Sequence, residues 1–186
     1  MNYEEHIKNF KVANTELMSY LLSKQGGFAP MVTVLVKKNE EVNVMAIPIP
    51  EQFLDSELSK DMLAKTLPSL FDHVVKQGME PMCFSFSSEA WLRKTPEGVK
   101  ELPDDWKDLP KIECLISTYE SKNDSSMDIH EIVREGKLAN ENGELIDAIV
   151  LKPYDTGEKQ LVSIEGRFTG LFDNYLKSKK DEQTDC

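Results

Sequence analysis

Residues 112–165 confine this chain to antiparallel pairing. Four strand-like runs lie there, at 112–119, 127–134, 145–151 and 160–165. Turn sequences join them: Lys122-Asn123-Asp124-Ser125, Asn140-Glu141-Asn142-Gly143 and Asp155-Thr156-Gly157. A parallel connection needs a long crossover, usually a helix, whereas short polar turns close only hairpins. A four-strand meander is the topology this spacing imposes.

The first half reads differently. Ile7, Phe10, Ala13, Leu17 and Leu21 recur at helical intervals, and Gly26-Gly27 ends the helix, since glycine accepts the left-handed conformation of a C-cap. Residues 31–36 and 42–47 flank the polar turn Lys37-Lys38-Asn39-Glu40-Glu41 and predict a hairpin. Its first strand is apolar on both faces, and Pro48 and Pro50 stop the second. Leu54, Leu58, Met62, Leu63, Leu67, Leu70, Phe71, Val74 and Val75 form another helical stripe. Pro68 interrupts it, predicting a kink or two short helices, the second ending at Gly78.

In residues 82–87, Met82, Phe84 and Phe86 alternate with Cys83, Ser85 and Ser87, which assigns the first set to the core and the second to the other face. Residues 93–111 hold four prolines or glycines among acids and read as a long loop, and residues 170–176 as a short closing helix. The sum is an α+β domain over residues 1–176 with a polar tail at 177–186. Its mostly antiparallel sheet comprises the N-terminal hairpin, a central strand and the meander, covered on one face by the first two helical regions.

At 186 residues such a domain buries enough surface to need no disulfide or metal. The three cysteines, Cys83, Cys114 and Cys186, form no CxxC pair and point to a reducing cytoplasm. Acids at Glu4 and Glu5 and the lack of an apolar run near 20 residues argue against a secretory leader and a membrane span. Thirty-three acidic against 22 basic residues give a net charge of −11, which repels nucleic-acid backbones and anionic membranes.

The best candidate site is the corner where the central strand enters the loop. Ser85, Ser87, Ser88, Glu89, Trp91 and Arg93 there offer hydroxyls, a carboxylate, an indole and a guanidinium for a small polar pocket; the alternative is a solvated sheet face. The run Ser88-Glu89-Ala90-Trp91, between the strand Phe84-Ser85-Phe86 and the strand Ile112-Glu113-Cys114-Leu115-Ile116, resembles a pattern of uncharacterised bacterial and phage-borne small proteins. The resemblance implies that Glu89 and Trp91 are features of that group and implies no activity. Where the group carries an arginine before the next strand, this chain has Lys111.

Other chemistry is sparse. Cys83 and Cys114 are the available thiols and His6, His73 and His130 the available bases, but no spacing joins a pair. Asp128 and His130 share one side of a strand, as two metal ligands would, with Asp147 in the next strand; no further ligand cluster accompanies them, so no metal or cofactor is assigned. No GxGxxG or P-loop cradle is present.

The segment 97–128 carries nine acids and four lysines, a net −5, and contains Trp106 between Asp105 and Asp108. Such a loop suits a protein partner, with Trp106 as anchor. The leading expectation is therefore a cytoplasmic accessory protein of phage or mobile-element origin, not an enzyme, binding a partner through Ser87, Glu89, Trp91, Arg93 and Trp106. The alternatives are a small hydrolase or nucleotide-handling enzyme with a pocket near Glu89 and His130, and an acidic nucleic-acid mimic.

Overall fold

A computed structural model describes residues 2–54, 56–93, 108–139, 142–154, 171–172 and 175–177. In chain order the elements are α1 (Tyr3–Gln25), β1 (Met31–Lys38), β2 (Glu41–Pro48), α2 (Glu57–Lys76), β3 (Glu80–Arg93), β4 (Lys111–Ser121), β5 (Ser125–Ala139) and β6 (Leu145–Pro153). Leu171, Phe172 and residues 175–177 are helical, so Lys177 belongs to the closing helix rather than to the tail. The α+β class holds. The fourth meander strand expected at 160–165, Trp106 and the tail beyond Lys177 lie outside the described residues.

The strands form one sheet in the order β2-β1-β3-β4-β5-β6, and every neighbouring pair is antiparallel. Two antiparallel steps separate β2 from β3, so these two run parallel, and α2 is the crossover that joins them past β1. The β1–β2 hairpin turns in two residues, with Asn39 at φ 56°, a left-handed position that asparagine tolerates.

The two long helices lie on opposite faces of the sheet, not on one. β1 dictates this: its first six residues are all buried, and their side chains alternate. Met31, Thr33 and Leu35 pack beneath α1, while Val32, Val34 and Val36 pack beneath α2 and the closing helix. A single covered face would leave three of them in water.

α1 starts on the cap of Asn2, whose side chain accepts from the Glu5 N–H at 2.8 Å, and stops at Gly26, φ 74°. Its buried line is Phe10, Asn14, Met18 and Leu22, one residue round from the apolar stripe read in the sequence; Ala13 is exposed. The polar Asn14 sits in the middle of that line, and hydropathy alone passes over it.

α2 is one helix through Pro68, so of the two expectations the pair of short helices is not formed. A proline ring has helical φ, and the missing hydrogen bond is outweighed because Leu63, Leu67, Phe71 and Val74 bury on either side of it. The Phe71 ring makes edge or tilted contacts with Phe84 at 5.7 Å and with Phe172 and Tyr175, both at 5.1 Å. On the same face the buried Glu120 carboxylate accepts the Phe172 N–H at 2.9 Å, fastening the closing helix to the sheet.

A register shift between Leu35 and Val36 leaves Met82 as an extra residue in β3, so Met82 joins Cys83 on the α1 side instead of Phe84 and Phe86 on the other. Because Phe71 joins helix, sheet and C-terminal segment, Phe71→Ala is expected to cost about 3–5 kcal/mol. Chemical denaturation of the purified variant measures the loss.

Candidate functional site

The face of β3 expected to be solvated is among the most deeply buried parts of the protein. Cys83, Ser85 and Ser87 are fully buried under α1, and so is Ser117 of β4. Pairing across the sheet sets them in two rows: Thr33, Ser85, Tyr119 and Ser126, then Met31, Ser87, Ser117 and Asp128. Paired residues point to the same side, so these rows make a polar band running from β1 to β5 beneath the helix.

Asn14 of α1 enters this band from above. Its Nδ2 donates to Ser87 Oγ at 3.0 Å and to Tyr119 OH at 3.1 Å, while its Oδ1 accepts from Thr33 Oγ1 at 2.9 Å. Ser87 Oγ and Ser117 Oγ share a hydrogen bond of 2.8 Å. Every member is satisfied by another, which is how polar groups survive without water. Burial pushes the Tyr119 hydroxyl above its usual pKa, so it stays a neutral donor and acceptor.

The remaining corner residues take separate tasks. Glu89 Oε1 accepts the Phe28 N–H at 2.7 Å, pinning the chain where it leaves α1. A Cβ on Gly27 would stand 3.0 Å from the same oxygen, so the absence of a side chain there permits the approach. Arg93 donates to the Leu109 carbonyl at 2.7 Å and ties the end of β3 to the approach to β4. Trp91, two residues beyond Glu89, is 64% exposed.

Next to Trp91 in register stands Glu113, which begins an ion-pair array absent from the sequence reading. Arg134 meets Glu113 at 2.6 Å and Asp147 at 3.0 Å, and donates to the Gly26 carbonyl at 3.2 Å. Lys137 reaches the other oxygen of Asp147. The Glu113 hydrogen bonds raise the Arg134 pKa further, and Lys137, then Arg134, hold the Asp147 carboxyl below its ordinary value. Gly136 at φ 121° and the register shift beside it turn Arg134 and Lys137 toward the same acid. A doublet of cations three residues apart opposite one Asp was the only hint the sequence offered.

The groups named for an enzyme do not converge. Glu89, Leu115 and His130 form one row across β3, β4 and β5, so the buried Leu115 side chain separates the carboxylate from the imidazole by two strand spacings, about 10 Å. Cys83 is sealed under α1, and burial raises its thiol pKa to about 12. Asp128 and His130 do come together, in a depression of about 280 Å³ against α1. Among the described residues no three His, Cys, Asp or Glu side chains gather as a metal site, and no helix is long and apolar enough to cross a membrane.

What these elements define is an α+β protein whose six described strands make one antiparallel sheet between helical layers. In comparisons with known proteins, no family model, curated protein or solved structure matches the chain.

Two outcomes follow. Asn14→Ala leaves the Thr33 and Tyr119 hydroxyls short of a partner, and urea unfolding is expected to show a loss of about 2–4 kcal/mol. The folded thiol of Cys83 ionises near 12 against 9.0 for a free one, so the stability it supplies is complete below pH 9 and lost as pH rises toward 12. Iodoacetamide at pH 8.5 is accordingly expected to spare Cys83 in the folded chain and to label it in urea, as read by peptide mass mapping.

Proposed function

We propose that this protein acts by binding a basic protein partner at the end of the sheet where α1 stops. One observation carries the reading: an indole held on a strand is left 64% exposed beside a fixed ion-pair floor. An exposed tryptophan normally costs solubility without return, and as an anchor it contributes large, rigid contact area. Leu138 and Leu145, 60% and 70% exposed, stand at the same end on the β5–β6 ribbon, which runs past the end of β4. Together they give a partner apolar contacts around a polar centre, the usual anatomy of an interface.

The sign of the partner comes from the net charge of −11 and from residues 97–108, which follow Arg93 in the chain and carry five acids against two lysines. A basic surface is drawn to such a field, and a basic side chain can stack on Trp91. Trp106, in that same segment, supplies a second aromatic for the contact. The reading of an accessory protein of phage or mobile-element origin draws on the likeness around Ser88-Glu89-Ala90-Trp91. A reducing cytoplasm is its natural setting, with Cys83 and Cys114 both free thiols.

Trp91→Ala is expected to leave the thermal midpoint within about 2 °C of wild type, because an exposed side chain contributes little to folding. The same substitution is expected to abolish recovery of a partner that wild-type bait captures from its host at low salt and loses at high salt. A fall of the midpoint by many degrees, or undiminished capture, would assign Trp91 to the fold instead.

A further inference from the structure

The polar band beneath α1 does not end inside the protein. At β5 it opens into the depression of about 280 Å³ lined by Lys11, Val12, Thr15, Glu16, Asp128 and His130. Ser126 and Asp128 are the last members of the two rows, so the buried network and the wall of this depression are continuous. A second depression, of about 440 Å³, lies further toward the start of α1 and shares Lys11 with the first.

Three charged side chains, Lys11, Glu16 and Asp128, line this depression. Lys11 Nζ is bound by Ser126 Oγ at 2.5 Å and stands 5.2 Å from the centre of the Tyr119 ring, partners that position an ammonium without neutralising it. Among the described residues, Glu16 and Asp128 form no ion pair with Lys11 or with any other cation. Here two carboxylates and an ammonium face one small depression separately. His130 closes its far side, and Nδ1 of that ring is buried with no hydrogen-bond partner. Unpartnered polar atoms of this kind are few in native folds.

A ligand of one sign would be attracted by half of this wall and repelled by the other half. A ligand with both signs on adjacent atoms answers both. We propose that the depression binds a free α-amino acid, its carboxylate on Lys11 and its ammonium between Glu16 and Asp128. At about 280 Å³ the depression falls just below the ~300–1,000 Å³ range of ligand clefts, the scale of a small metabolite rather than a nucleotide. The amino-acid side chain would extend over Val12 or past Lys11, which also lines the second depression. With one ammonium against two carboxylates, neutral and basic amino acids bind and acidic ones are disfavoured.

The test is a titration of the full-length ¹⁵N-labelled protein, followed by amide shifts, with three probes at matched ionic strength: L-alanine, L-alaninamide and propionate. L-Alanine is expected to shift resonances of residues 11–16 and 126–130 saturably. Alaninamide lacks the carboxylate and propionate the ammonium, and each is expected to bind about ten-fold more weakly. Lys11→Gln is expected to reduce alanine to the level of alaninamide, and Asp128→Asn to reduce it to that of propionate. Should one variant fail to fold, the other and the wild-type probe series carry the test. No saturable shift with alanine, equal binding of alanine and alaninamide, or shifts confined to other residues would overturn the proposal. Because Trp91 lies beyond the last turn of α1 and does not line the depression, Trp91→Ala is expected to leave this titration unchanged.

Discussion

The carboxamide of Asn14 fixes where α1 lies on the sheet, and most of what is distinctive about this protein follows from that placement. Apolar contacts between a helix and a sheet are permissive, since a slide of one turn exchanges one leucine or methionine for another at small cost. A buried amide that donates to Ser87 and Tyr119 and accepts from Thr33 has one position in which its bonds are made. Any other leaves several buried polar groups unpaired, each costing about 1–3 kcal/mol. The network therefore selects one register among many that hydrophobic burial would allow.

Two consequences appear along the helix. With α1 held at Asn14, its last turn reaches the row of Glu89, and the chain leaves through Gly26 and Gly27 against that carboxylate and the Arg134 guanidinium. Trp91 is left uncovered just beyond. Beside the middle of the helix, Lys11, Thr15 and Glu16 line a depression together with Asp128 and His130. The partner surface and the depression are products of one helix placement, the first beyond the last turn of α1 and the second beside its middle.

The other face of the sheet is built on different terms. There the contacts are aromatic and aliphatic, centred on Phe71, and the single charged group buried among them is Glu120, whose carboxylate takes up the Phe172 amide. This face supplies stability through burial and attaches the C-terminal helix. The α1 face spends part of its area on polar groups, gaining specificity of arrangement where the apolar face gains energy.

Much of the fold is local and therefore legible in the sequence. Turn residues and strand lengths announced the β4–β5 and β5–β6 hairpins, Asn39 and its neighbours the first hairpin, Gly26 the end of α1, and the all-apolar run of β1 its burial on both sides. The continuity of α2 through Pro68 was not legible, because the packing that holds it together comes from residues distant in the chain. Nor was the site. Alternating serines in β3 look alike whether they meet water or an asparagine; that Cys83, Ser85 and Ser87 are small and uncharged was the one sign that a helix lies over them. The ion pairs of Arg134 and the row that keeps Glu89 from His130 depend on strand register and on a bulge at Gly136. The sequence by itself determined most of the elements and the antiparallel pairing of the hairpin-linked strands, since those rest on short-range sterics and hydrogen bonding. Tertiary structure alone decided which polar residues are buried, which are paired and which face open space, since those depend on the meeting of residues up to 115 positions apart, as in Lys11 and Ser126.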